Sequence, residues 1–302
     1  MTDWPPPQRH LLPDGRMHLS DGPMDLLIGL EGTRPAIQTA REVAFRALCG
    51  VLPALAAELP LLRAPLLGRP PEAAHPVSRR MVEACWPFRA ALITPMAAVA
   101  GAVAEHVLAA IAAVPGLSAA HVNNGGDIAV HLSPGASLRI GLVERADRPG
   151  VGPVAHLRAE DGVGGIATSG WRGRSFSLGI ADAVTVLACR AAEADAAATV
   201  IANAVNAEHP SILRRPAEEL DPDTDLVGQG VTVAVGTLPV SLLEAALDAG
   251  LCQAELLLAR GQIRGAFLSL GGCTRVAGSA EIAALGAPAA LLPKSAGGSG
   301  EE

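Results

Sequence analysis

Tyrosine is absent from this chain, and Phe and Trp bring the aromatic share to only 2%. So few rings exclude the stacking platforms that hold single-stranded nucleic acid. A formal net charge of −7 argues the same way, because a phosphate-backbone binder needs a basic face. Neither sign of charge forms a long run. Cysteine is sparse: Cys49, Cys85, Cys189, Cys252 and Cys273 are scattered, odd in number and without a Cys-x-x-Cys pair. That pattern suggests neither a disulfide framework nor a zinc site; it fits small apolar side chains in a reducing compartment. The eight histidines show no ligand spacing, and His121 and His131 read as ordinary strand residues. A nucleophile elbow of Gly-x-Ser-x-Gly form is also missing. Residues 1–23 carry prolines and charges where a signal peptide needs an apolar core. The longest apolar run, 90–104, ends at Glu105 and His106, short of a membrane span. A cytoplasmic protein with no nucleic-acid or membrane partner is expected.

What is plentiful is small apolar side chain. Half of the 302 residues are hydrophobic, much of that Ala, so the chain can bury a large core. Residues 1–22 read as an irregular lead-in, followed by a strand over 24–30. Helical spacing runs over 35–59, and a proline-rich connection covers 60–77. Thr94-Pro95 reads as an N-cap and first helical position, opening a helix that Pro115-Gly116 stops. Strands are expected at 121–122 and 127–132, joined through an Asn-Gly hairpin turn, then at 138–144. Further strands at 164–169, 183–188, 231–235 and 263–270 alternate with helices ending near 207 and spanning 241–260. Hairpins mixed with long helices predict an α+β fold of mainly antiparallel sheets packed with helices, in two closely associated halves. A single domain over 1–294 and a flexible tail over 295–302 complete the expectation.

Three polar segments interrupt this apolar chain. Asn123-Asn124-Gly125-Gly126-Asp127 puts two amides and a carboxylate around two permissive glycines. A plain hairpin explains Asn-Gly, but the second Asn and the Asp are surplus to it. Thr168-Ser169-Gly170-Trp171-Arg172-Gly173-Arg174-Ser175 combines hydroxyls with two arginines, as an anion cradle or a solvated loop does. Asp195, Thr199 and Asn203 are spaced i, i+4, i+8 and share one helix face. A polar stripe on so apolar a helix is costly to bury unless satisfied. Magnesium with substrate phosphates satisfies one, and an Asp stabilised by a nearby helix N-terminus is the plainer alternative. Asp182 stands before an apolar strand, as a strand-end carboxylate or a turn residue.

In this order the segments resemble the ApbE family of flavin transferases. Asn123, Gly125, Gly126 and Asp127 match that family's Asn-x-Gly-Gly-Asp turn, and Thr168, Ser169 and Gly170 its Thr-Ser-Gly turn. Asp195 and Thr199 match its Ala-Asp-Ala-x-x-Thr helix. The motifs span roughly 92–206, with no evident counterpart in the first 88 residues. The resemblance implies FAD or a related flavin nucleotide as ligand and Mg2+ as metal. It implies transfer of FMN to a Thr or Ser of an acceptor protein, with release of AMP. It would make Asp195 and Thr199 metal ligands, and give Asp182 a catalytic part. Asn123, Asn124, Gly125, Gly126, Asp127, Thr168, Ser169, Gly170, Arg172 and Arg174 would hold the nucleotide.

The chain departs from the family at known points. Ala100-Gly101 stands where the family has Lys-Gly, and Glu105 where it commonly has Asp. The family's His-Ile-Ile-Asp-Pro becomes Gly179-Ile180-Ala181-Asp182-Ala183, and the lipoprotein-type N-terminus is missing. Three functions are consistent with this pattern: a flavin-nucleotide binder with weakened FMN transfer, an enzyme of pterin-type cofactor or one-carbon metabolism, and a non-catalytic binding subunit. A yellow sample, or adenine absorbance released on denaturation, would separate the first from the others.

Overall fold

A computed structural model describes residues 5–141 and 154–278. The tail expected at 295–302 and the last residues of the 138–144 strand lie outside them. Strands β1 (Gln8–Leu11), β2 (Met17–Asp21) and β3 (Met24–Gly32) open the chain, followed by helices α1 (Arg34–Leu48), α2 (Val51–Ala57), α3 (Leu59–Leu62), α4 (Pro76–Cys85) and α5 (Val99–Ala112). Next come β4 (Leu117–Asn124), β5 (Asp127–Leu132), β6 (Ser137–Gly141), β7 (Val154–Arg158), β8 (Gly165–Ser169) and β9 (Ala183–Ala188). The C-terminal part holds α6 (Ala191–Ala204), β10 (Ile212–Pro216), α7 (Ala217–Leu220), β11 (Gly230–Val235), α8 (Val240–Ala259), β12 (Gly265–Leu270) and β13 (Cys273–Gly278). One nine-stranded sheet runs β1-β2-β3-β4-β5-β8-β9-β12-β13. Each of its neighbouring pairs is antiparallel, so the α+β expectation holds.

Strand alternation sorts the core. Ala129, Ala167, Val184, Val186 and Leu268 join a large cluster with residues of α1, α4, α5, α6 and α8. Their strand neighbours Val130, Ile166, Leu187 and Phe267 join a smaller cluster with Leu138, Ile140 and Leu157 of the β6–β7 hairpin. Successive strand side chains face opposite sides, so helices cover one face and the hairpin part of the other.

The lead-in at 1–22 is corrected: it carries β1 and β2, whose ladder pairs Gln8 with Ser20 through Leu11 with Met17. Only β2 shows apolar alternation, and β1 is exposed along its length, which is why periodicity missed it. The helix expected over 35–59 breaks at Gly50, which adopts φ 83°. A short 3-10 turn, Pro95–Ala98, runs straight into α5, giving 18 residues of mean hydropathy 1.6. By length and composition this is long enough to cross a membrane, contrary to the expectation from the 90–104 run. Its place in the fold is internal: Ala102, Val103, Ala104, Val107 and Ile111 belong to the large core. Small residues let it pack tightly. A Cβ on Gly101 would lie 2.4 Å from the Ala191 carbonyl oxygen, and one on Gly165 2.3 Å from Ala191 Cα. The start of α6 is thus wedged between α5 and β8.

Candidate functional site

The wedge places the Asp195 stripe. Asp195 lies in the second turn of α6 and does not cap its own helix. Its Oδ2 accepts the Gly101 N–H, in the first turn of α5, at 2.9 Å. The plainer alternative, free amides at a helix N-terminus, is thus present, but at α5 rather than at the helix that carries Asp195. Asp195, Thr199 and Asn203 all line one cleft of about 600 Å3.

The hairpin forms another wall. β4 reaches Asn124, further than the strand expected at 121–122, so the turn is only Gly125-Gly126. Both take positive φ, 67° and 120°, as a two-residue hairpin of this hand requires. Asn123 Oδ1 accepts the Gly126 N–H at 2.8 Å and completes the turn. Asp127, next along, has one oxygen on the Thr168 N–H at 3.1 Å. Asn124, Gly125, Asp127, Thr168, Ser169, Gly170 and Arg174 all line the same cleft as Asp195.

Four of the expected site residues are not in that lining: Asn123, Gly126, Arg172 and Asp182. Asp182 is buried and engaged. It accepts the Trp171 Nε1–H at 3.2 Å, the Arg172 Nε–H at 2.5 Å and the Gly271 N–H at 2.8 Å. Arg172 also stacks over the Trp171 ring, 4.2 Å from its centroid. These contacts tie the 171–172 turn to the end of β12. Asp182→Asn is expected to destabilise the fold by about 2–3 kcal/mol, the scale of hydrogen bonds to a charged group, read by urea denaturation. Stability unchanged by that substitution would deny Asp182 this structural part.

The sequence reading missed a further part of the lining. Arg63, Leu92, Ile93, Thr94 and Met96 line the cleft, as do Asp221, Asp223, Thr224, Asp225 and Leu226. Thr94 was expected to cap a helix, but it makes no capping bond. Its buried hydroxyl instead donates to Asp225. Arg63 lies 3.9 Å from Asp223, a second tether on the same loop. The alternating Asp221-Pro222-Asp223-Thr224-Asp225 run was the available signal for this loop.

The electrostatics are lopsided. Five lining carboxylates, Asp127, Asp195, Asp221, Asp223 and Asp225, face two guanidiniums, Arg63 and Arg174. Burial pushes the Asp127 carboxyl up to about 7, against the pull of the Thr168 N–H. Burial and then the Asp127 charge raise Asp195 well above the usual carboxylate range, against the Gly101 and Ala100 amides. A carboxylate whose proton affinity is raised by a second carboxylate has that charge as a close neighbour. Beneath them Cys85 is buried, its thiol pushed up by burial and by Asp195 and Asp225. Among the described residues no group of three or more His, Cys, Asp or Glu gathers as a metal cage.

Antiparallel sheet and helical cover define an α+β protein, and its lining carboxylates make one cleft acidic. A family model described as AbpE bacteria matches residues 9–276, and the chain belongs to that family. The match reaches well before residue 92, into the N-terminal part where motifs gave no counterpart. Among curated relatives, UPF0280 protein MK0206 of Methanopyrus kandleri is 41% identical over 164 residues, 54% of this chain and 64% of that protein. A UPF0280 protein of Methanothrix thermoacetophila is 38% identical over 141 residues, 45% of this chain and 55% of its own length. The chain therefore spans less than two thirds of these relatives. A crystal structure of Pseudomonas stutzeri flavinyl transferase ApbE, apo form, aligns at TM-score 0.45 and 13% identity, covering 93% of this chain and 97% of that one.

Proposed function

We propose that the cleft binds a phosphorylated, flavin-type nucleotide such as FAD or FMN together with a magnesium ion. The carrying observation is the Asp127–Asp195 pair, which lines one cleft with Thr199. Asp127 commits one oxygen to the Thr168 N–H, and Asp195 takes the pull of the Gly101 and Ala100 amides; no side chain donates to either carboxylate among the described hydrogen bonds. The Thr199 hydroxyl lines the same cleft and likewise has no such partner. Two carboxylate oxygens and a hydroxyl suit a hard cation that keeps its remaining positions for water and phosphate. Bound there, magnesium would neutralise phosphate charge that five carboxylates otherwise repel. Arg174 is placed to steady phosphates; its Nη1 would lie 3.1 Å from a Cβ on Gly125, against the open face of the hairpin turn. Leu92, Ile93, Met96 and Phe176 give an apolar wall for a ring system.

Transfer of FMN to an acceptor protein, in a cytoplasmic setting, is the reaction such binding would serve. Binding with little transfer is favoured by a specific observation: Asp182 is spent on Trp171, Arg172 and Gly271. The test is thermal stabilisation by FAD with and without magnesium. A ligand at 100 times its dissociation constant stabilises by about 2.7 kcal/mol. Stabilisation by FAD is expected only when magnesium is present, and Asp195→Asn is expected to remove it. An FAD response that ignores magnesium would contradict the proposal.

A further inference from the structure

Asn124 occupies the variable position of the Asn-x-Gly-Gly-Asp turn, so the turn itself does not call for its amide. Asn123 already serves the turn, through Gly126. Adjacent strand residues face opposite ways, and Asn124 faces the helices, only 6% exposed. Its Nδ2 donates to the Ala100 carbonyl at 3.1 Å, and its Oδ1 accepts the Asp25 N–H at 3.4 Å. The buried amide therefore joins β3 to the first turn of α5. That same turn gives its Gly101 N–H to Asp195. Across the hairpin, Asn124 is the direct cross-strand partner of Asp127.

The first turn of α5 is thus gripped from both sides: Asn124 holds a carbonyl, and Asp195 takes an amide one residue on. We propose that Asn124 is a positioning residue whose amide fixes this turn against the β4–β5 hairpin and so sets the spacing of the Asp127 and Asp195 carboxylates. Its role at the site rests on the cation reading above; the hydrogen bonds do not. An Asp at 124 would turn a carboxylate on the Ala100 carbonyl, and an Ala would leave the turn without its tether. A carbonyl oxygen has two lone pairs, and helix bonding serves Ala100 as well. Losing Asn124 therefore loosens geometry more than it unfolds the chain.

The experiment compares wild type, Asn124→Ala and the isosteric Asn124→Asp in two readouts. The first is the Gly101 amide resonance in the metal-free protein, which reports the bond to Asp195. The second is affinity for Mn2+ alone, by calorimetry. Both variants are expected to move the Gly101 resonance and to weaken Mn2+ binding at least about tenfold, as lost outer-sphere partners do. Variants that fold, leave Gly101 in place and bind Mn2+ within about twofold of wild type would overturn the proposal. If wild type takes up no Mn2+, the cation reading fails, and the Gly101 resonance alone decides whether Asn124 positions the turn.

Discussion

Raising the pH from about 5 to about 8 in the presence of a chelator is expected to lower the melting temperature of this protein. Millimolar magnesium is expected to restore it, and to do so most at the higher pH. The sign follows from the carboxylate pair. Burial lifts the folded Asp127 carboxyl from 3.8 to about 7, and burial with the Asp127 charge lifts Asp195 in the same direction. The folded chain therefore holds protons more tightly than the unfolded one. That contribution is fully present below the unfolded value near 3.8 and is lost as pH rises through about 7. Each kcal/mol lost lowers the melting temperature by about 2–4 °C in a chain of this class. A divalent cation takes the place of the protons, so its stabilisation grows as they leave. Asp127→Asn is expected to flatten the pH dependence, because it removes both a titrating group and its pressure on Asp195. A melting temperature that stays level across this range in the chelated wild type would contradict the close, uncompensated pairing.

Incubation with FAD, magnesium and an acceptor peptide is expected to yield little covalent FMN, read by in-gel fluorescence. Transfer to a hydroxyl needs that hydroxyl deprotonated or well oriented while pyrophosphate charge is neutralised. The proposed cation site and Arg174 would meet the second need. The first has no evident agent. Asp182 is occupied by three donors. Arg174 is protonated at any working pH and is a poor base. Asp127 has a suitable affinity for a proton, but holding a cation removes it from that role.

The position aligned with the family's His cannot take a side chain. A Cβ on Gly179 would lie 2.0 Å from the Ala202 carbonyl oxygen and 2.8 Å from that of Val205. Those carbonyls belong to the end of α6, the helix that carries Asp195. Gly179→His is therefore expected to cost at least about 3 kcal/mol, the upper range of overpacking, without restoring transfer. Wild-type turnover comparable with an ordinary flavin transferase would show that neither His nor Lys is needed. A stable, active Gly179→His protein would show that α6 can give way there.

The readable parts of the sequence were those where periodicity or turn chemistry acts alone. β9 is buried at every position and was bounded correctly at 183–188, and α8 differs by a residue at either end from the expected 241–260. The hairpin at Gly125-Gly126 was legible because only glycine takes both positive φ values readily. The i, i+4, i+8 stripe of Asp195, Thr199 and Asn203 does line a cleft. Tertiary partners were not legible. Asp195 caps α5 rather than its own helix because two close approaches, at Gly101 and Gly165, bring α6 there. Asn203 turned out to hold the 177–178 loop, accepting the Leu178 N–H at 3.0 Å. Arg172 and Arg174 read alike in one loop, yet one packs on Trp171 and Asp182 while the other lines the cleft. The Asp221–Asp225 run lacks any local period, and its contacts with Thr94 and Arg63 are tertiary, so its place in the cleft lining was not legible.

The most direct measurement is calorimetric titration of FAD into wild type and Asp195→Asn, each with magnesium and with chelator, at about pH 8, above the value near 7 to which burial pushes Asp127. Saturable binding is expected in wild type with magnesium alone, and in none of the other three samples. The substitution keeps the side chain's size, so stability is expected to change by no more than about 1–2 kcal/mol, the scale of a lost cap. Wild-type affinity in a folded Asp195→Asn protein, or equal binding with chelator, would contradict the claim that this carboxylate pair brings a phosphorylated ligand into the cleft through a cation.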